Sequence, residues 1–105
     1  MNFVIPRFFK EQKEIKSIGV DNMMFAVYSQ HENQYESSVK ITQNAFIYIV
    51  GGQKIIHTKN RQFTIDPDEA ILLKRGSYIM SEIAPKYKAF LFFYDDNVFL
   101  DLLNK

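Results

Sequence analysis

Two histidines, His31 and His57, are the side chains of this chain best suited to hold a metal or move a proton near neutral pH. A catalytic zinc or iron centre takes three protein ligands, often two His and a carboxylate. Here no H-x-H pair and no third His exist. His31 sits in the polar run Gln30–Gln34, and His57 stands beside Ile55 and Ile56. Both read as structural histidines, so no metal ligand and no cofactor are expected. The acidic pairs Asp66/Asp68, Asp68/Glu69 and Asp95/Asp96 have residue types that could serve glycoside hydrolysis, but nothing sets their separation. Turn and helix-capping roles account for them. Gly51-Gly52 is not a phosphate loop, because no Lys-Ser/Thr follows it, and no G-x-S-x-G nucleophile motif is present. There is no Cys, which removes disulfides, thiolate catalysis and thiolate metal sites together. No catalytic residue is assigned, and the chain is not expected to be an enzyme.

The remaining chemistry is aromatic and apolar. Ten Phe and six Tyr are a heavy load for a small core, so some rings are expected to line a cavity or an interface. Met24, Phe46, Tyr48, Tyr78, Met80 and Phe92 are the candidates for a small-molecule pocket closed by the N-terminal arm. Tyr48 and Tyr78 would supply its polar contacts. Core filling is the competing account of each of these side chains. Phe99, Leu102 and Leu103 share helical spacing and form either a barrel-packing face or a dimer seam.

The elements that must position these residues are strands. Val, Ile, Phe and Tyr dominate short apolar runs separated by turn residues, the pattern of an all-β sandwich or barrel. Met23–Tyr28 reads as a strand, 37–41 as a weak one, and Ala45–Val50 as a run covered on both faces. Gly51-Gly52 reads as a hairpin turn, from which 54–58 returns antiparallel. Further turns are expected at Lys59-Asn60, 66–68, Arg75-Gly76 and 84–86, with the last and most apolar strand over Tyr87–Tyr94. A helix is expected to start near Asn97. The domain reading is a 1–18 N-terminal arm, a 19–94 β-barrel and a 95–105 start of a C-terminal linker or dimerisation helix.

The totals fit one such domain. A 105-residue chain can bury a real core without metals or disulfides. A net charge of +1 is too balanced for binding nucleic acid through phosphates. No apolar run reaches membrane-spanning length and no secretory leader is evident, so a cytoplasmic protein with no membrane partner is expected.

Ile47–Gly51, a hydrophobic strand ending in Gly, and Asp68–Gly76, an acidic turn leading to a strand and a Gly corner, together resemble a cupin. Three departures from metal cupins stand out: Asp68 where Gly is usual, Lys74 where Pro is usual, and Ile79 where the second motif places a His. Thr42–Asn44 also lacks the H-x-H. The stretch Leu73–Ile79, with its Lys-Arg-Gly-Ser-Tyr core, is similar to the N-terminal cupin-like regulatory domain of AraC-type transcription regulators. That resemblance covers roughly the last 60 residues. It implies a cupin-like double-stranded β-barrel (jelly roll) with a short C-terminal helix. It also implies an effector-sensing or dimerisation role, a small apolar effector or a regulatory protein as partner, and a homodimer in the full-length protein. DNA would be contacted only through a domain beyond Lys105. A free-standing small cupin enzyme and a protein-binding barrel are the alternatives.

Overall fold

The structure, a computed structural model, describes residues 2–11, 16–20 and 23–98. The chain starts with β1 (Asn2–Ile5), a one-turn helix α1 (Arg7–Glu11) and β2 (Lys16–Val20). The barrel proper follows: β3 (Met23–Gln30), β4 (Gln34–Ile41), β5 (Asn44–His57), β6 (Gln62–Ile65), β7 (Ala70–Leu73) and β8 (Gly76–Tyr94). All strand pairs are antiparallel except β1 with β4, where Asn2–Ile5 runs parallel to Ser38–Ile41. The N-terminal stretch is thus stitched into the sheet at two places, because β2 also pairs with β3.

Two of the expected turns are not turns. Gly51-Gly52 lies inside the continuous strand β5, and 84–86 lies inside the continuous strand β8. The two irregular spots meet in space, and together they make one corner of the barrel. Register between β5 and β8 slips between Ile49 and Gly51 and again between Gly51 and Gln53. A Cβ on Gly51 would lie 2.5 Å from the Lys86 carbonyl oxygen, and one on Gly52 would lie 2.4 Å from that of Ile83. Gly52 also takes φ +70° and Lys86 takes φ +61°. The glycines are there for close backbone approach and a bend, which is the bulge use of Gly rather than its hairpin use.

This corner changes which side chains face inward. Before it, Ala45, Ile47 and Ile49 of β5 are buried; after it, Lys54 and Ile56 are. On β8 the switch runs from Met80 to Tyr87, Ala89, Leu91 and Phe93. One extra residue in a strand moves every later side chain to the other face. The run Ala45–Val50 is therefore covered on one face only, with Phe46 and Val50 exposed. The buried core joins these residues to Ile5, Phe9, Met24, Ala26, Val39, Ile41, Ile65 and Leu73.

β8 ends at Tyr94, and residues 96–98 begin a helical turn. Its carboxylates are held by side chains rather than by backbone amides. Gln43 Nε2 donates to Asp95 Oδ1 at 3.1 Å. Asn44 Nδ2 donates to Asp96 Oδ1, and Arg75 pairs with Asp96 Oδ2 at 2.8 Å. Phe99, Leu102 and Leu103, the dimer-helix candidates, lie outside the described residues.

Candidate functional site

One cavity sits between the N-terminal arm and the barrel interior. Phe3, Ile5, Phe8 and Phe9 cover it from the arm; Val39, Ile47, Met80 and Leu91 form its apolar wall. Tyr28, Ser37, Lys54, Glu82 and Tyr87 supply its polar end. The space open to water-sized molecules is about 40 Å³, enough for roughly three waters. The arm is packed edge to ring over this space. Phe3 and Phe8 lie 4.8 Å apart, Phe8 and Phe9 5.8 Å, and Phe9 reaches Tyr28 at 5.4 Å and Phe93 at 5.9 Å.

The barrel corner puts Lys54 inside. Its Nζ lies 3.2 Å from Glu82 Oε2 and donates to the Tyr87 hydroxyl, also at 3.2 Å. The Lys54 side chain is 4% exposed and that of Glu82 16%. Burial alone would push the Lys54 ammonium down. Tyr87 and Glu82 more than offset it, so the proton is held above the ordinary lysine range. Burial likewise pushes the Tyr87 phenol up to about 12, and burial followed by Glu82 raises Tyr28. The Tyr28 hydroxyl itself donates to Gln30 Oε1 at 2.7 Å. At neutral pH the polar end is a charged Lys–Glu pair flanked by two neutral phenols.

The structure separates the six sequence-level pocket candidates. Met80 lines the cavity. Met24 is buried in the core away from the cavity lining. Tyr78 is half-buried, and its hydroxyl donates to the Lys74 carbonyl at 2.7 Å, a contact that ties down the β7–β8 connection. Phe46, Tyr48 and Phe92 point away from the cavity, because they alternate with the inward Ala45, Ile47, Leu91 and Phe93. They belong to a row on the outer face, where Phe25 pairs with Phe92, Phe92 with Phe46, and Phe46 with Leu72. Phe25 and Phe92 are 4.7 Å apart, and Tyr48 stacks on Phe90 at 6.4 Å. The Tyr48 hydroxyl donates to Asp68 Oδ1 at 2.8 Å, which holds its phenol above the usual range.

Lys54, Glu82, Tyr28 and Tyr87 did not stand out in the sequence. The available signal was parity: Lys54 shares a strand face with Ile56, an unusual place for a lysine. The histidines stay apart. His57 Nε2 sits 2.7 Å from Ser81 Oγ, and that oxygen also accepts from the Glu36 backbone amide at 2.9 Å. His31 is exposed in the connection between β3 and β4. Among the described residues, no three His, Cys, Asp or Glu side chains gather as a metal site. The acidic turn is self-contained: Gln53 Nε2 donates to Asp66 Oδ1, and the Asp66 amide to Glu69 Oε1.

Known proteins share this architecture. The model of the ExsA N-terminal regulatory domain matches residues 44–105, more than half of the chain. Among curated proteins, none matches. Among solved structures, a cupin superfamily protein from Desulfitobacterium hafniense is 11% identical with a TM-score of 0.64, over 82% of each chain. The cupin domain of Schizosaccharomyces pombe Cnp3 is 12% identical with a TM-score of 0.65, over 86% of this chain and 69% of that one. A cupin-2 domain protein from Shewanella frigidimarina is 9% identical with a TM-score of 0.61, over 84% and 86%. At these identities the likeness is one of fold, and the fold is a cupin jelly roll.

Proposed function

The chain belongs to the family of ExsA N-terminal regulatory domains, found in AraC-type transcription regulators, and from that premise we propose that it is the effector-sensing part of such a regulator. The observation that carries this reading is the cavity closed by the arm, with a buried ion pair at one end and an apolar wall at the other. Pockets that bind small molecules have this build: mostly apolar lining and a few convergent polar groups. The arm is the element that a ligand would act on. Phe8 and Phe9 form part of the cavity's own cover, so a larger occupant must move them, and a smaller one would pack beneath them.

The proposed role is binding, not turnover. The Lys54 ammonium in the cavity is tied to the Glu82 carboxylate at 3.2 Å. Binding would bias the regulator only through a preference for one placement of the arm, and hence of whatever the arm contacts. DNA reading falls to a separate domain, and the site of action is the cytoplasm. Native mass spectrometry of the chain purified from cells, followed by hydrogen exchange of residues 2–11, tests the reading. A co-purifying organic mass whose removal speeds exchange in the arm is the expected result. An empty cavity, with arm exchange indifferent to added small molecules, refutes it.

A further inference from the structure

The charge at the polar end decides what kind of head group can enter. Among the described residues lining the cavity, only Lys54 and Glu82 carry charge, and they cancel. An ammonium has three donors, and two of those on Lys54 are used, by Glu82 and Tyr87. One N–H remains. The Tyr87 hydroxyl accepts from Lys54 and is itself hydrogen-bonded to Glu82, so it is satisfied within the network. The Glu82 carboxylate, which takes about four hydrogen bonds when ionised, keeps room to accept another. The polar end therefore offers one donor, on Lys54, and an acceptor, on Glu82, side by side, with no net charge.

An anionic head would satisfy the free N–H but place a second negative charge beside Glu82, out of water. A cationic head would meet Lys54 in the same way. Like charges brought together in a poorly solvated site disfavour the charged form of the newcomer. A neutral head that both accepts and donates meets neither penalty. Resting on the sensor reading above, we propose that the cavity selects an uncharged amphiphile. Its head accepts from Lys54 and donates to Glu82, as a primary amide does, and its short apolar body lies against Met80 and Leu91. The cavity rejects the carboxylate of the same skeleton. The free space takes the head group alone, so the body occupies room held by Phe8 and Phe9.

Hexanamide and hexanoate are matched probes. Each is titrated into the full 105-residue chain, with binding read from the methyl signals of Met80 and Leu91. The expected result at pH 8 is hexanamide binding at least tenfold tighter than hexanoate. In Glu82→Gln, which leaves Lys54 without its counter-charge, the preference should invert. A second arm needs no variant. Hexanoate affinity for the unaltered chain should rise about tenfold per pH unit as the pH falls towards the carboxylic range of about 4–5, because only the neutral acid enters; hexanamide affinity should stay flat. Hexanoate binding as tightly as hexanamide at pH 8 overturns the head-group rule and leaves the sensor reading standing. A preference unmoved by Glu82→Gln, or a flat pH profile for hexanoate, overturns it as well. Failure of both probes to shift either methyl at any pH overturns the head-group rule, while the sensor reading is decided by its own mass and exchange test.

Discussion

Replacing Gly52 by Ala tests whether the corner shared by β5 and β8 sets the fold. Two penalties add. The residue sits at φ +70°, where an L side chain costs about 1–2 kcal/mol. Its new Cβ would lie 2.4 Å from the Ile83 oxygen and 2.8 Å from the Tyr87 Cα, both backbone atoms that cannot rotate away. An ordinary carbon–oxygen approach is roughly 3.3 Å, so the two strands must part by nearly an ångström. Overpacking of that kind costs about 1–3 kcal/mol. The sum is about 3 kcal/mol or more, against a total stability of about 5–15 kcal/mol for a domain of this kind. For a chain of this size that lowers Tm by roughly 15 °C. Gly51→Ala separates the two parts, because it meets Lys86 O at 2.5 Å without a left-handed φ. It should cost about 1–3 kcal/mol. Thermal melts followed by circular dichroism read both. A Gly52→Ala chain melting within about 3 °C of the parent would show that the corner is loose, and that this reasoning is wrong.

Lys54→Met should destabilise strongly, by about 3 kcal/mol, because it strands the half-buried Glu82 carboxylate. Lys54→Met combined with Glu82→Gln should recover most of the loss in urea melts; a double variant as weak as the single one would mean that packing rather than charge sets the cost. Alkaline stability follows from the raised Lys54 and Tyr87 protons. Their contribution is fully present below their ordinary values of 10.5 and 10.0, and it is lost as pH rises through the folded-state values, about 12 for Tyr87. Melting temperature should therefore hold from pH 7 to 9 and fall steeply between about 10 and 12; a flat profile to pH 12 would contradict the buried network. On the outer face, Phe46→Ser and Leu72→Ser should change stability by little more than 1 kcal/mol while visibly lowering the binding of a hydrophobic dye. A loss above 3 kcal/mol in either would place those side chains in the core.

The strands were legible because their chemistry is local. Val, Ile, Phe and Tyr runs at Met23–Tyr28 and Tyr87–Tyr94 fall where β3 and β8 lie. The Ile47–Gly51 and Asp68–Gly76 stretches pointed to the cupin fold that the structural neighbours share, and Leu73–Ile79 to the regulatory family. What could not be read was continuity. Gly51-Gly52 and 84–86 look like turns one at a time, and only their meeting in space makes them a bend in two paired strands. That bend also decides which side chains line the proposed pocket. Residue parity along β5 and β8 reverses across it, so aromatic type favoured Phe46, Tyr48 and Phe92, whereas geometry selects Lys54, Glu82 and Tyr87. The arm was expected to close a pocket, and Phe3, Phe8 and Phe9 cover this one. Its pairing with β4 rests on a parallel register that no local pattern announces.

β8 has a consequence for how a message could leave the barrel. A single ribbon of 19 residues carries Met80, Glu82, Tyr87 and Leu91 past the cavity and then delivers the chain at Tyr94 to the Asp95–Asp96 junction. Its bend, over residues 84–86, is propped by the two glycines of β5. Such a ribbon behaves like a tie rod: a push at Glu82 or Tyr87 is resisted along its length by pairing with β3, β4 and β5. It then arrives where Gln43, Asn44 and Arg75 grip the outgoing carboxylates. Of the three, the Arg75–Asp96 pair is the exposed one, so it is the cheapest to rearrange when the interior is strained. The exit junction, rather than the cavity wall, is therefore where the barrel would yield first.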